Sequence, residues 1–90
     1  MKKIRGAAED LSQRLGLPED LTLGAGKLTL VAGKQALVEN HRGLLACGSE
    51  RMVIRLPRGK LSLTGTGLSI QAMNHQELLI AGRLTAVEWE

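Results

Sequence analysis

Three side chains in this sequence could supply a nucleophile and a general base: Cys47, His41 and His75. A cysteine becomes a nucleophile when a nearby imidazole removes its proton. However, Cys47 ends the apolar run that begins at Leu44, and a cysteine in such a run is usually a small, buried and inert hydrophobic residue. The same side chains match no familiar spacing of metal ligands. We therefore expect no catalytic residue, no metal site and no cofactor, and we expect that the protein is not an enzyme.

Basic side chains are concentrated in the middle of the chain. Between residues 41 and 60, a single acidic residue, Glu50, accompanies five basic ones: Arg42, Arg51, Arg55, Arg58 and Lys60. On alternating strands Arg51, Arg55 and Lys60 would share a solvent face. Such a face either discourages edge-to-edge aggregation or contacts an acidic protein, an anionic lipid or nucleic acid. Small β domains that bind single-stranded nucleic acid usually stack bases on aromatic side chains, and this segment has none. Nucleic-acid binding is therefore the alternative function and not the first one.

The composition describes one small domain. The chain has 90 residues, of which 43% are hydrophobic and 23% charged, and a formal net charge of +3. Trp89 is its only aromatic residue, so aliphatic side chains must form the core. No apolar run approaches the roughly 20 residues that span a bilayer, and no apolar stretch of a signal peptide follows the basic N-terminus. The single cysteine excludes an internal disulfide, and we therefore expect a cytoplasmic protein.

Two kinds of periodicity divide the chain. Apolar residues recur at helical spacing over residues 2–15, at Ile4, Ala8, Leu11 and Leu15. This spacing predicts a short amphipathic N-terminal helix, which Pro18 would prevent from continuing. From residue 21 onward the period falls to two, as in strands. We therefore predict an N-terminal helix and linker at residues 1–19 and a β domain at residues 20–90.

The β domain is predicted to contain about eight short, mostly antiparallel strands, because alternating runs are separated by glycines. Examples are residues 52–56, 61–64 and 78–80. The pattern is typical of a meander or of a two-layer β-roll or sandwich. A weak strand–glycine–strand repeat at residues 27–38, 60–70 and 77–87 also permits a short β-solenoid, the alternative architecture.

Some apolar side chains are predicted on the strand face opposite the main leucine stripe: Val53, Leu79, Val87 and Trp89. Either these strands are covered on both faces, or the side chains form an exposed patch that contacts another subunit or protein. The second interpretation makes the four residues candidates for interaction.

The most distinctive segment is formed by Glu39, Asn40, His41, Arg42 and Gly43. Asparagine tolerates left-handed backbone angles and glycine gives the chain freedom at the end of a turn. Locally, the segment predicts a strand, a turn and a second strand. The residues alone leave open whether Asn40 and His41 serve the turn or serve recognition.

This turn belongs to a longer series of motifs. In order, residues 15–20 are LGLPED, 28–33 are LTLVAG, 38–43 are VENHRG, 59–65 are GKLSLTG, 68–70 are LSI, 77–82 are ELLIAG and 87–89 are VEW. Over about residues 11–89 the series resembles the YabP/YqfC family of sporulation proteins, and it is most like the YqfC branch.

The resemblance implies a non-enzymatic protein made during sporulation, with a role in spore formation or coat morphogenesis and no catalytic residues. Such a protein would act as an assembly or adaptor component through protein–protein contacts. Its partner would be a second copy, in an oligomer, or another sporulation protein, including one in a membrane, and no small-molecule substrate is expected. It would lie in the mother-cell cytoplasm, or at a membrane or the forespore surface through that partner.

Overall fold

The computed structural model describes residues 2–5, 18–23 and 25–90, and the side chains of residues 25–90. The described residues form eight strands: β1 (Lys2–Arg5), β2 (Pro18–Leu23), β3 (Gly26–Val31), β4 (Gln35–Glu39), β5 (Leu44–Cys47), β6 (Arg51–Leu56), β7 (Gly59–Met73) and β8 (Glu77–Trp89). Every pairing between them is antiparallel. The prediction of a mainly β, antiparallel domain is therefore confirmed. A β-solenoid stacks its strands in parallel, so that alternative is wrong.

β7 and β8 form a long hairpin at the centre of the sheet, in which the strand order is β2-β3-β4-β8-β7-β6-β5. β4 pairs with residues 77–81 of β8, β6 pairs with residues 59–64 of β7, and β1 pairs with residues 86–89 of β8. A straight strand with the 15 residues of β7 would be about 50 Å long. The longest dimension of the molecule is only 30 Å, and β7 must therefore bend.

The bend lies where Gly65 and Gly67 of β7 pass Gly82 of β8. A Cβ atom at Gly82 would lie 2.7 Å from the carbonyl oxygen of Gly67, and one at Gly65 would overlap the carbonyl oxygen of Arg83. Gly82 also has a φ of 137°, which only glycine adopts readily. The pairing register shifts at this point, as in a β-bulge that bends its strand.

The bend lets the two halves of the sheet cover each other across one core. The first half contains β2, β3, β4 and the hairpin near its turn, and the second half contains β1, β5, β6 and the other end of the hairpin. One buried cluster takes residues from both halves: Leu28, Leu30, Ala36, Val38, Leu78 and Ile80 from the first, and Met52, Ile54, Leu56, Leu61, Leu63 and Val87 from the second. Each fully buried leucine contributes roughly 1.5–3 kcal/mol, so aliphatic packing holds the two layers together.

The prediction of an N-terminal helix over residues 2–15 disagrees with the structure at residues 2–5 and is not tested beyond them. The first residues of this range, Lys2–Arg5, form β1 and pair with the end of β8. The rest of the predicted helix, residues 6–15, lies outside the described residues. The division of the chain into residues 1–19 and 20–90 therefore stays a prediction.

A bulge near the end of β8 changes the face on which its last side chains lie. Thr85 has no partner in the register, because Leu84 and Ala86 are paired with successive residues of β7. Val87 is consequently 0% exposed in the core, and Trp89 packs against the same core. The prediction that these two residues lie on the outer face is wrong, because alternation does not continue through a bulge.

Candidate functional site

The turn formed by residues 39–43 connects β4 in the first half of the sheet to β5 in the second half. Asn40 has a φ of 62°, and its side-chain Nδ2 donates to the carbonyl oxygen of Ala25 at 2.8 Å. Its backbone N–H donates to the carbonyl oxygen of Gln76 at 2.7 Å. Asn40 therefore joins the β2–β3 turn to the β7–β8 turn.

His41 is buried within the same turn, with 3% of its surface exposed. The backbone N–H of Gly43 donates to His41 Nδ1 at 3.0 Å, so the proton of the neutral ring lies on Nε2. Nε2 in turn lies 2.7 Å from the carbonyl oxygen of Asn74, to which it donates. Both ring nitrogens are engaged inside the protein, and His41 therefore acts as a structural residue here. We call Asn40, His41 and Gly43 the turn clasp.

The turn clasp also reaches the second half of the sheet. The backbone N–H of Arg42 donates to the carbonyl oxygen of Arg55 at 2.7 Å, and the N–H of Arg55 donates to the carbonyl oxygen of Gly43 at 2.8 Å. The guanidinium of Arg42 donates to Asn40 Oδ1 at 3.1 Å. The clasp therefore ties the β7–β8 turn of one half to β6 of the other, which closes one end of the core.

The remaining polar candidates do not converge on a reactive site. Cys47 is exposed at the end of β5, so the expectation of a buried cysteine is wrong, and His75 is exposed in the β7–β8 turn. Among residues 25–90, no cluster of three or more His, Cys, Asp or Glu side chains could hold a metal ion. Within the described part of the chain, no helix has the length and apolar character needed to cross a membrane.

The basic residues lie on the outside of the second half. Arg51 and Arg55 alternate along β6 with buried residues, and both are exposed. Lys60 of β7 lies directly opposite Arg55 and is also exposed. Arg42 and Arg58 are exposed in the turns before β5 and after β6. This arrangement places a concentrated positive charge on the outer face of β6 and the start of β7.

The apolar candidates Val53 and Leu79 lie on the outer faces of opposite halves, and both are half-buried. Leu79 is flanked by Leu37 on β4 and by Ala72 on β7. We call Leu37, Ala72 and Leu79 the outer patch. Leu37 is not among the candidates identified from the sequence. Its position between the core residues Ala36 and Val38 of β4 indicates that its side chain lies on the outer face.

The structure also presents an edge that the sequence did not predict. β5 is the last strand of the sheet path and pairs only with β6 among the described strands. Leu45 interrupts its register and is 51% exposed. A shallow groove runs along this edge, lined by residues 45–48, Val53, Arg51 and Lys60. The edge therefore combines an apolar floor with basic sides.

Known proteins are similar in sequence to most of the chain. The YabP family matches residues 23–90, which include strands β3 to β8, the turn clasp and the groove. The chain is 28% identical over 79 residues to the uncharacterized protein YqfC of Bacillus subtilis (strain 168), an alignment that covers 88% of this chain and 85% of that protein. No solved structure matches the chain. The resemblance found in the sequence is thus confirmed, and the chain belongs to the YabP family.

Proposed function

We propose that this chain is a non-enzymatic sporulation protein that acts as an assembly or adaptor component in spore formation or coat morphogenesis. The observation that carries the proposal is the outer patch, where Leu37, Ala72 and Leu79 lie side by side on three neighbouring strands. Leu37 and Leu79 are half-buried and Ala72 is exposed, and an apolar patch at a protein surface commonly marks a contact with another protein. Membership of the YabP family supports sporulation as the setting.

The partner in this proposal is a protein, either a second copy of the chain or another sporulation protein. The site of action is the mother-cell cytoplasm, or a membrane or forespore surface to which a partner recruits the chain. Val53 adds a second apolar contact on the opposite half, between Ala46 of β5 and Ser62 of β7.

The first experiment measures the solution mass by light scattering behind a sizing column, at low and high salt. Leu79→Lys and Val53→Lys each place a charge in a proposed contact, and both should reduce the mass of any assembly while circular dichroism stays unchanged. Thr66→Lys is the matched control, because Thr66 is exposed at the bend of β7. If both apolar variants assemble like the wild type, these contacts are wrongly assigned.

A second experiment addresses the biological setting in the bacterium that encodes the chain. Deletion of the gene should lower the yield of heat-resistant spores. Thr66→Lys should restore that yield, and Leu79→Lys should not. A deletion strain that sporulates normally would contradict the proposal, whatever the solution mass.

Nucleic-acid binding is a second candidate, because Arg51, Arg55 and Lys60 share one exposed face. Binding through phosphates would weaken steeply as salt increases. Fluorescence anisotropy with a labelled oligonucleotide at low salt tests this, with Arg55→Glu as the weakened variant and Thr66→Glu as the control. Absence of binding at low salt removes this candidate.

A further inference from the structure

The charges of the described strands are divided unequally between the two halves of the sheet. Away from the bend, where Arg83 lies, the strands of the second half contain one acidic residue, Glu88, and six basic ones: Lys2, Lys3, Arg5, Arg51, Arg55 and Lys60. The strands of the first half contain one basic residue, Lys27, and four acidic ones: Glu19, Asp20, Glu39 and Glu77. The two halves cover each other across one core, so a basic half lies opposite an acidic half.

The basic side chains that the structure describes lie on the outer face of the second half. Arg51 and Arg55 alternate with core residues along β6, and Lys60 lies opposite Arg55 on β7. Arg42 and Arg58 are exposed in the turns that lead into β5 and out of β6. All five cations are exposed, and their charge is therefore presented to an external partner.

The positive charge extends across the width of this half. β1, whose sequence is Lys-Lys-Ile-Arg, pairs with the end of β8 at the other edge from β5. Five strands therefore lie side by side in this half, in the order β1-β8-β7-β6-β5. At a spacing of about 4.8 Å between strands, they form a face about 20 Å wide. Such a face suits a broad anionic surface better than a narrow strand or helix.

Leu45 adds an exposed aliphatic side chain to the same face. It interrupts the register between β5 and β6 and is 51% exposed. It lines one groove together with Arg51, Val53 and Lys60, so it opens on the same side of the sheet as these cations. An exposed leucine surrounded by cations calls for a partner that is both anionic and apolar.

An anionic membrane has both properties, and nucleic acid has only the first. Each Lys or Arg near the surface of an anionic bilayer strengthens binding, and an aliphatic side chain can enter the boundary between headgroups and acyl chains. Nucleic-acid phosphates offer no apolar contact to Leu45. Trp89 is the only aromatic residue of the chain and packs against the core, so this face has no aromatic side chain on which bases could stack.

We propose that the outer face of the second half binds an anionic membrane directly, with Arg51, Arg55 and Lys60 at the lipid headgroups and Leu45 inserted among them. The inference goes beyond the proposed function, because no protein partner is needed to bring the chain to the membrane. In this orientation the outer patch of the first half points away from the bilayer and is free to contact a protein.

The first test is co-sedimentation of the full chain with vesicles. Vesicles that mix phosphatidylglycerol with phosphatidylcholine should bind the chain, and vesicles of pure phosphatidylcholine should not. Binding should weaken at high salt, because salt screens exposed charges.

A pair of matched double variants tests whether the position of the charges matters. Arg51→Gln with Arg55→Gln removes two cations from the face, and Lys34→Gln with Arg83→Gln removes two exposed cations from the β3–β4 turn and the bend. Each cation at the surface should contribute about fivefold to affinity, so the first variant should bind anionic vesicles about 25-fold more weakly. The second variant has the same net charge and should stay within about twofold of the wild type.

Two single variants test the face in opposite directions. Glu50 is exposed in the β5–β6 turn next to Arg51, so Glu50→Gln should bind anionic vesicles about fivefold more tightly. Leu45→Ala keeps every charge and removes apolar contact, and it should bind about threefold more weakly or worse.

Circular dichroism and urea unfolding check that each variant is folded. The proposal is overturned if the wild type does not bind anionic vesicles, or binds neutral ones equally well. It is also overturned if both double variants lose affinity equally, or if Leu45→Ala binds like the wild type. A chain that binds a labelled oligonucleotide but no anionic vesicle would overturn it in favour of nucleic acid.

Leu79→Lys separates this inference from the proposed function. Leu79 lies on the outer face of the other half, so the variant should bind vesicles like the wild type, and an equal loss in Leu79→Lys and in the variant of Arg51 and Arg55 would overturn the assigned face. If vesicle binding fails but Leu79→Lys still reduces assembly or spore yield, the membrane contact is overturned and the proposed function stands.

Discussion

Replacing His41 with alanine should destabilise the protein substantially. The substitution removes two hydrogen bonds of a side chain that is 3% exposed, one to the carbonyl oxygen of Asn74 at 2.7 Å and one from the N–H of Gly43 at 3.0 Å. Leaving a buried hydrogen-bonding group without a partner costs about 1–3 kcal/mol. The carbonyl of Asn74 and the N–H of Gly43 are only partly buried, so water reduces the cost for each of them. We expect His41→Ala to lower the free energy of unfolding by about 2–3 kcal/mol, and the melting temperature by about 10–20 °C.

Two substitutions of His41 by amide residues measure how much each of its two hydrogen bonds contributes to stability. In His41→Asn, the side-chain oxygen can still accept from the N–H of Gly43, as in an Asx turn, but the side chain is too short to reach Asn74. In His41→Gln, the longer side chain places an amide N–H near the carbonyl oxygen of Asn74 and loses the bond from Gly43. Each should lose about half as much stability as His41→Ala, roughly 1–1.5 kcal/mol.

Urea unfolding followed by circular dichroism gives these free energies, with His75→Ala as the control. His75 is exposed in the β7–β8 turn, so its removal should change stability by less than about 0.5 kcal/mol. The reasoning is refuted if His41→Ala is as stable as the control. It is also refuted if both amide variants are as unstable as His41→Ala, because neither bond would then contribute separately.

Three further predictions concern single positions. Asn40→Gly keeps the left-handed backbone and loses the 2.8 Å hydrogen bond to Ala25. Urea unfolding should therefore show that the free energy of unfolding falls by about 0.5–1.5 kcal/mol. In Asn40→Ala it should fall by about 1–2 kcal/mol more, because alanine strains the left-handed backbone. Gly82→Ala would place a Cβ 2.7 Å from the carbonyl oxygen of Gly67, and a loss of about 3 kcal/mol or more is expected in the same assay; a smaller loss would show that the bend can relax. Cys47 is exposed, so a thiol reagent should titrate one equivalent in the native protein, and titration only after denaturation would contradict this placement.

The alternation of side chains predicted the strands well wherever the register is regular. Along β6, Met52 and Ile54 face the core and Arg51 and Arg55 face solvent, as a period of two requires. The prediction failed at the end of β8 because Thr85 inserts one extra residue. A bulge is set by how two strands pair, and the sequence of one strand does not show it.

The candidate site was predicted less completely, because edges and contacts depend on residues far apart in the chain. The run from Leu44 to Cys47 resembles a buried strand, and its exposure follows from its position as the last strand of the sheet path. His41 indicated only a turn, since its bond to Asn74 spans 33 residues. Leu79 was found because its local alternation is regular, and its neighbour Leu37 became visible only once β4 was placed beside β8.

The turn clasp and the β5 edge are physically connected through Gly43, which immediately precedes β5. Its N–H is held by His41 Nδ1, and its carbonyl oxygen accepts from the N–H of Arg55 at 2.8 Å. β5 has four residues and one neighbouring strand, so the direction in which the chain enters it depends on this peptide. His41→Gln frees the N–H of Gly43 and should fray the start of β5, whereas His41→Asn should keep it in place. Hydrogen exchange at the backbone amides of residues 44–47 should therefore be faster in His41→Gln than in His41→Asn, and equal rates in the two variants would contradict this connection.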